Sequence, residues 1–305
     1  MSTASEPHLV AVVGPTATGK SDLAIDLAEQ LGGEVVNADA MQLYRGMDIG
    51  TAKVPVDQRR DVPHHLIDVL EVTDTASVAV YQQQARAIVE DLLGNGVTPV
   101  LVGGSGLYVQ AVVDDLRFPG TDPTVRERWE LELQEHGAEA LHRRLGELDP
   151  AAAVAILPSN GRRLVRALEV IEITGEPFSA NLPTPGPARY GGVLIGLDRP
   201  ADVLDERVDA RVTRMFDSGL VEEVRRLEKC GLRHGRTASR ALGYQQVLDE
   251  FDGSQDMADA AAATARATRR FVRKQRSWFR RDQRIHWFDA GSADLLADVS
   301  AVLEP

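Results

Sequence analysis

The sequence predicts an α/β fold in which helices flank a parallel β-sheet, with an all-helical domain inserted into it. Three observations predict this fold. Short apolar runs alternate with stretches of helical periodicity through the first half of the chain. A glycine-rich segment at residues 14–21 follows the first apolar run. Residues 118–190 are rich in charged helix formers and short on strands, so we expect an insertion there and a core formed by residues 1–117 and 191–305.

Length and composition favour a globular enzyme. The chain has 305 residues, of which 43% are hydrophobic, which is enough to bury a full core. No run reaches the roughly 20 apolar residues that a membrane span needs, and the first residues lack the features of a signal peptide. We therefore expect a cytoplasmic protein. The single cysteine, Cys230, excludes an internal disulfide and a multi-thiolate metal site.

Residues 14–21 read Gly-Pro-Thr-Ala-Thr-Gly-Lys-Ser, which has the spacing of a phosphate-binding loop. A strand at residues 9–13 and a helix at residues 21–31 enclose it. Backbone N–H groups and the positive end of the helix dipole would hold an anion, Lys20 adds a charge, and the Ser21 hydroxyl can hold Mg²⁺. The whole loop is therefore predicted to bind phosphate, through Gly14, Pro15, Thr16, Ala17, Thr18, Gly19, Lys20 and Ser21.

The next elements lead back to the sheet edge that carries this loop. A strand at residues 34–37 delivers Asp39 to that edge, where parallel sheets bind ligands. Residues 41–53 lack a clean period and are predicted to form a shaped loop. A helix at residues 77–93 then precedes a third strand at residues 98–102.

The third strand ends in Gly-Gly-Ser-Gly, which is predicted to turn at the same edge into a helix at residues 107–113. Phosphate-loop hydrolases and kinases usually place an acid at such a strand end to support the Mg²⁺ shell, so the glycine is informative. Asp39 and Asp198, which follow other strands, remain as candidate acids, and neither is decisive alone.

After the insertion the chain is predicted to be mostly helical. A fourth strand is expected at residues 192–197 and an edge strand at residues 285–288. The helices are predicted at residues 204–216, 220–230, 238–251 and 258–281.

The charge distribution leaves two interpretations open. The net charge of −12 argues against a nucleic-acid partner, because phosphate backbones attract basic surfaces. Residues 266–284, however, form a basic stripe that is interleaved with aromatic residues, and Arg162 and Arg166 share a helical face in the insertion. Either feature could contact RNA or could be a solvated helix face. The stripe comprises Arg266, Arg269, Arg270, Arg273, Lys274, Arg276, Arg280, Arg281 and Arg284.

Taken together, the motifs resemble the bacterial tRNA dimethylallyltransferase (tRNA isopentenyltransferase) family over nearly the whole chain. The resemblance rests on the phosphate loop and on five further segments. These are Asn-Ala-Asp-Ala-Met-Gln-Leu-Tyr-Arg-Gly-Met-Asp-Ile-Gly-Thr-Ala-Lys at 37–53, Pro-His-His-Leu-Ile-Asp at 63–68, Gly-Gly-Ser-Gly-Leu-Tyr at 103–108, Arg-Leu-Val-Arg-Ala-Leu-Glu at 163–169 and Ala-Leu-Gly-Tyr at 241–244.

The resemblance implies a P-loop NTPase-like fold and a specific reaction. Members transfer a dimethylallyl group from dimethylallyl diphosphate to N6 of the adenosine 3′ of the anticodon, in tRNAs reading codons that begin with U, and use Mg²⁺. The implied catalytic residues are Asp39, Lys20, Ser21 and Arg211, with Arg207 as a substitute for Arg211. Asp39 would take the proton from N6; its other interpretation is an acid that supports the Mg²⁺ shell.

The resemblance also implies a tRNA interface, and we expect the protein to be a monomer. The implied contacts lie at the sheet edge, in the insertion and in the last quarter of the chain. They are Asp39, Ala40, Met41, Gln42, Ser105, Arg126, Arg162, Arg163, Arg166, Arg240, Gly243, Tyr244 and Gln245.

The sequence departs from the family pattern at two positions. Ala40 stands where Ser is common, which puts a polar contact from that position in doubt, and Ser21 stands where Thr is common, which is equivalent for Mg²⁺. Rival hypotheses are a small-molecule kinase that binds ATP in the same loop and a non-catalytic RNA-binding protein. An isopentenyltransferase acting on free AMP is disfavoured, since a mononucleotide needs neither the insertion nor the basic stripe.

Overall fold

The computed structural model describes residues 7–181, 186–254 and 256–303. The chain divides into two compact units. One comprises Met1–Val113 with Pro187–Pro305, and the other comprises Asp114–Gly186. The second unit overlaps the predicted insertion at residues 118–190.

The first unit is built on a six-stranded sheet, all of whose neighbouring strands are parallel. Its strands are β1 (Val10–Val13), β2 (Glu34–Asn37), β3 (His64–His65), β4 (Pro99–Gly103), β5 (Val193–Asp198) and β6 (Ile285–Asp289). Their order across the sheet is β3-β2-β4-β1-β5-β6, which places the phosphate-loop strand β1 between β4 and β5. The predicted parallel sheet is confirmed.

Helices cover both faces of this sheet. Alternate residues of β1 pack into two different clusters, because successive side chains of a strand point to opposite faces. Val10 and Val12 pack with helix residues 23–28, whereas Ala11 and Val13 pack with buried residues of segments 81–92 and 108–113. In chain order the helices are α1 (Lys20–Leu31), α2 (Val78–Gly94), α3 (Gly106–Val113), α4 (Pro123–Leu148), α5 (Pro150–Ala155), α6 (Gly161–Thr174), α7 (Ala201–Asp217), α8 (Leu220–Lys229), α9 (Tyr244–Phe251), α10 (Met257–Phe279) and α11 (Leu295–Leu303). Short 3₁₀ helices lie at Val56–Gln58, Phe178–Asn181, Arg189–Gly191, Leu232–His234 and Ala238–Arg240.

The prediction of one helix over residues 238–251 is wrong. The chain makes a 3₁₀ turn at Ala238–Arg240 and begins α9 only at Tyr244. Gly243 separates the two with a φ of 89°, a conformation that interrupts a helix and that glycine tolerates best. The two-residue strand β3 and the helix α11 were not predicted, β3 because two residues carry no period.

In its described residues, the second unit consists of helices and the loops that connect them. Helix α4 begins after Asp122, whose carboxylate accepts hydrogen bonds from the N–H groups of Thr124 and Val125, and it is interrupted at Gly137, where φ is 78°. The hydrophobic core of the second unit comprises Leu141, Leu145, Ala152, Ile156, Leu164, Val165, Ala167 and Leu168. In the described parts of both units, every helix is too short or too polar to cross a lipid bilayer.

Candidate active site

The phosphate loop wraps the N-terminus of α1 as the sequence predicts. Gly14 has a φ of 135°, and a Cβ there would lie 2.3 Å from the Leu197 carbonyl oxygen of β5. Only glycine fits this close approach between loop and strand. Gly19 has a φ of 99° and caps α1, so Lys20 and Ser21 begin the helix whose positive dipole end faces the loop.

Polar contacts hold the loop in shape. The Lys20 ammonium and the Thr18 hydroxyl both donate to the Pro15 carbonyl, at 2.6 and 3.0 Å. Arg207 of α7 donates from Nε to the Ala17 carbonyl at 2.7 Å. Arg207 therefore contacts the loop backbone directly.

Two cavities meet at the carboxyl end of the sheet. The first, of about 480 Å³, is lined by the phosphate loop, Gln42 and residues of α7. The second, of about 540 Å³, lies on the side of Ser105, Arg240 and α10. Both cavities are lined by Thr16, Lys20, Asp39, Thr51, Gly104 and Arg211. The Lys20 ammonium and the Asp39 carboxylate thus border both cavities, which we together call the chamber.

The chamber carries positive charge that is only partly compensated. Burial, and then the Arg211 guanidinium, lower the pKa of the Lys20 ammonium to about 7, while the Asp39 carboxylate opposes the shift. Burial also lowers the pKa of Arg211; Asp39 opposes this shift and Arg214 adds to it. A multivalent anion bound between Lys20 and Arg211 would raise the pKa of both side chains again, because it stabilises their charged forms.

Asp39 is fixed by its neighbours. Its N–H donates to the Asn37 side-chain oxygen at 2.9 Å, and its carboxylate oxygen Oδ1 accepts from the Met41 N–H at 2.9 Å. The Ala40 N–H donates to the Ser105 hydroxyl at 3.2 Å, which ties this segment to the glycine turn after β4. In the part of the chain that the structure describes, no hydrogen bond engages Oδ2 of Asp39. That oxygen is available to a ligand.

Arg211 is positioned by residues 41–53, which the sequence predicts as a shaped loop. Its guanidinium donates to the Thr51 carbonyl at 3.4 Å, and the Gln42 amide donates to the same carbonyl at 3.2 Å. The N–H groups just before Thr51 are bound by the buried Glu223 carboxylate of α8. Glu223 is a positioning residue that no local pattern marks, because the loop that it holds lies far away in sequence.

The candidate acid Asp198 is engaged by arginines and lines neither of the two cavities. Its Oδ2 atom accepts from Arg276 and Arg280 of α10, each at 2.9 Å, and its Oδ1 accepts from the Arg199 N–H. The basic stripe is therefore partly neutralised by acidic residues of the same chain. Arg269 is likewise paired with Asp209, and Arg273 with Asp205. Arg270 and Lys274 instead line the second cavity, together with the aromatic ring of Phe271.

Several residues predicted to contact tRNA line the second cavity beside Asp39. They are Ala40, Met41, Ser105 and Arg240, while Gln42 lines the first cavity and Gln245 is exposed. Tyr244 is different: its side chain is fully buried, and its hydroxyl donates to Glu223. Gly243 is also buried, and its N–H donates to Gln246. The expected side-chain contact from Tyr244 is therefore replaced by a packing role.

The arginines of the second unit fall into two groups. Arg126 and Arg166 pair with Glu169, whose side chain is fully buried, at 2.5 and 3.1 Å. Arg166 also donates to the carbonyls of residues 119 and 120. Arg162 and Arg163 are exposed. The first pair stabilises the helical unit, and the second pair is available to a polyanion.

The residues around Ser21 fit a Mg²⁺ ion that is held mainly by substrate. The Ser21 hydroxyl lines the first cavity on the first turn of α1. Within the described residues no cluster of three or more His, Cys, Asp or Glu side chains could hold a metal. Mg²⁺ commonly binds phosphate oxygens, water and one or two protein oxygens, so one hydroxyl beside a phosphate loop is a suitable donor set.

Comparison with known proteins gives a consistent result. Residues 42–282 match the family model described as IPP transferase, and residues 7–61 match the model described as isopentenyl transferase. A tRNA dimethylallyltransferase of Saccharopolyspora erythraea is 73% identical over 98% of this chain and 97% of that protein. One from Kineococcus radiotolerans is 64% identical over 92% of this chain and 90% of that protein.

Solved structures agree. The tRNA isopentenylpyrophosphate transferase of Bacillus halodurans superposes with a TM-score of 0.73 at 38% identity, covering 98% of this chain and 96% of the other. A eukaryotic dimethylallyltransferase acting on tRNA superposes with a TM-score of 0.80 at 24% identity, covering 97% of this chain and 78% of the other. Because its sequence identity to this chain is low, the eukaryotic structure supports the fold alone.

Proposed function

This chain belongs to the IPP transferase family, and we propose that it transfers a dimethylallyl group from dimethylallyl diphosphate to N6 of an adenosine in tRNA. The acceptor would be the adenosine 3′ of the anticodon in tRNAs that read codons beginning with U, and diphosphate would be released. The observation that carries this proposal is the shared chamber: Lys20 and Arg211 border the same space as the Asp39 carboxylate.

The first cavity is suited to the diphosphate. Adenine N6 is a poor nucleophile because its lone pair is delocalised into the ring, so much of the acceleration must come from stabilising the leaving group. As the allylic C–O bond breaks, its electron pair moves to the diphosphate. Loop N–H groups, Lys20 and Arg211 surround the position of that growing charge. Mg²⁺, held by Ser21 and phosphate oxygens, would supply further charge neutralisation when bound.

Asp39 is suited to the amino group. Its Oδ2 atom would accept a hydrogen bond from N6, orient the lone pair toward the allylic carbon, and take the proton as the N6–C bond forms. The hydrogen bonds from Met41 to Oδ1 and from the Asp39 N–H to Asn37 hold the carboxylate in that place before substrate arrives. Preorganisation of this kind lowers the cost of reaching the transition state.

The second cavity is suited to a nucleobase. A base that is stacked in an anticodon loop cannot reach a phosphate loop at a sheet edge, so it must turn out of the stack. The cavity combines apolar walls from Met41, Leu242 and Phe271 with the cations Arg270 and Lys274. Stacking surfaces beside cations are what RNA bases and their phosphates require. We further propose that the protein acts as a monomer in the cytoplasm.

Labelled substrate tests this function. The protein is incubated with dimethylallyl diphosphate labelled in the allyl group, Mg²⁺ and unmodified tRNA, and the tRNA is then digested to nucleosides. The proposal expects label in N6-modified adenosine and stoichiometric diphosphate. A small-molecule kinase, the alternative that shares the loop, would instead consume ATP and leave the tRNA unlabelled.

A further inference from the structure

We propose that Gln275 removes one N–H donor from the phosphate loop and thereby makes the loop select a diphosphate over a triphosphate. The inference rests on the proposed function, because it explains why this site would take an allylic diphosphate rather than ATP. It concerns a side chain that belongs neither to the loop nor to the expected tRNA contacts.

Gln275 bridges the two glycine turns of the site. It lies on α10 with only 5% of its surface exposed. Its amide oxygen Oε1 accepts the Thr16 N–H of the phosphate loop at 3.0 Å, and its Nε2 atom donates to the Gly104 carbonyl after β4 at 2.9 Å. Both ends of the amide are therefore used, as a buried amide requires.

The Gly104 turn lies close against this amide. A Cβ on Gly104 would lie 2.3 Å from Gln275 Nε2, so any larger residue there would displace the amide. The next residue on the helix, Arg276, pairs with Asp198 at the end of β5 and fixes α10 against the sheet. The helix that carries the Gln275 bridge is thus anchored at the same edge of the sheet as the phosphate loop.

The position of the Gln275 bridge determines which phosphate group it disfavours. Thr16 and Lys20 line both cavities, whereas Ala17, Gly19 and Ser21 line the first and Gln275 lines the second. A phosphate chain that extends from the first cavity toward the second would reach Thr16. Phosphate loops hold their ligands through backbone N–H groups, but the Thr16 N–H already points to Gln275.

A third phosphate would therefore meet the negative end of an amide dipole instead of a donor. A dimethylallyl diphosphate would place its uncharged allylic carbon in this region, next to Asp39 and the nucleobase cavity. The same contact thus disfavours a triphosphate and leaves the allyl group unhindered. An ordinary structural glutamine would stabilise the fold without changing the relative affinity of the two anions.

The test compares the binding of inorganic pyrophosphate and inorganic tripolyphosphate by titration calorimetry with Mg²⁺ at constant pH. Gln275→Met removes the acceptor, whereas Gln275→Glu retains an acceptor for Thr16. Thr264→Val is the matched control, since Thr264 is a buried polar residue on the same helix that lines neither of the two cavities. Circular dichroism establishes that each variant is folded.

We expect the wild type to bind pyrophosphate more tightly than tripolyphosphate. Gln275→Met should reduce that preference by about tenfold, the effect of one hydrogen bond to a charged group. Gln275→Glu should keep or widen the preference, and Thr264→Val should leave it unchanged. If Gln275→Met does not fold, Gln275→Asn, whose shorter amide cannot span both partners, gives the same comparison.

Two results would overturn the inference. One is an unchanged preference in folded Gln275→Met, and the other is an equal change in the Met and Glu variants. Either result leaves the proposed function intact as long as the wild type binds pyrophosphate. A wild type that does not bind pyrophosphate would instead contradict both the proposed function and this role of Gln275.

Discussion

The Tyr244 hydroxyl donates a hydrogen bond of 2.5 Å to the Glu223 carboxylate, and both side chains are buried. The same carboxylate accepts the N–H groups of Asp48, Ile49 and Gly50 at 3.0 to 3.4 Å. One acid on α8 thus orders the loop whose Thr51 carbonyl contacts Arg211. The buried contact between Tyr244 and Glu223, which lies outside the chamber, thus helps to hold the Arg211 guanidinium inside it.

Removing the Tyr244 hydroxyl should destabilise the protein. Tyr244→Phe leaves a buried carboxylate with one donor fewer, so we expect the free energy of unfolding to fall by about 1–3 kcal/mol. Tyr190→Phe is the matched control, because the Tyr190 hydroxyl also donates to a carboxylate, that of Glu90, but at an exposed position. Urea unfolding of both variants measures the difference. Equal losses in the two variants would contradict the buried role of Tyr244.

The lowered pKa of Lys20 predicts a pH-dependent affinity for pyrophosphate. With a pKa of about 7, the free Lys20 amine is increasingly neutral above pH 7, and the bound anion requires the charged form. Affinity should therefore fall as the pH rises from 7 to 9, by up to about tenfold per pH unit. The falling affinity corresponds to proton uptake on binding.

Lys20→Arg separates this effect from the titration of the ligand. Arginine stays charged across the range, and pyrophosphate titrates identically in both measurements. Calorimetric titrations of wild type and variant should give a ratio of affinities that changes with pH in the stated direction. A ratio that is constant from pH 6 to pH 9 would show that the Lys20 pKa is not lowered.

Arg211 should contribute more to the rate than other arginines nearby. Arg211→Gln removes a partly buried cation from both cavities, so we expect kcat/KM to fall by about 10²–10³-fold, as for other transition-state donors. The exposed Arg226 on α8 is the control, and its change to Gln should have less than about a twofold effect. Initial rates of tRNA prenylation measure both. Equal effects would exclude a special role for Arg211.

Exposed and paired arginines of the helical unit should respond differently. Arg162→Ala and Arg163→Ala should weaken tRNA binding and lower the slope of log affinity against log salt by about 1 each, without changing thermal stability. Arg126→Ala should instead destabilise the unit, since it leaves the buried Glu169 short of a partner. Filter binding across a salt series, with thermal melts, distinguishes the two groups. Destabilisation by the Arg162 change would contradict the assignment.

Sequence patterns anticipated those parts of the site that depend on local structure. Strand β2 is recognisable from its pattern of residues, and the loop before α1 from the glycines of its motif. Asp39 and Lys20 could therefore be placed at one sheet edge. Glu223 and Gln275 could not be found in this way. Each contacts a site loop that lies more than a hundred residues away, as in the contact between Thr16 and Gln275, and a single polar residue in a helix carries no sign of it.

Charge counts were misleading for a related reason. A run of arginines indicates a basic surface, but pairing is decided by packing. Asp198 neutralises Arg276 and Arg280, although it lies far from them in sequence. Of the stripe, Arg270 and Lys274 line the second cavity. The sequence shows the run of basic residues and does not show which of them face a ligand.

The most direct measurement of the central claim is the single-turnover rate of prenyl transfer in Asp39→Asn, with saturating dimethylallyl diphosphate and tRNA. If the Asp39 carboxylate takes the N6 proton in the chamber it shares with Lys20, the rate should fall by about 10²–10⁴-fold. Pyrophosphate affinity should stay within a few-fold of wild type, because the loop contacts remain. Transfer at the wild-type rate by Asp39→Asn would contradict the account.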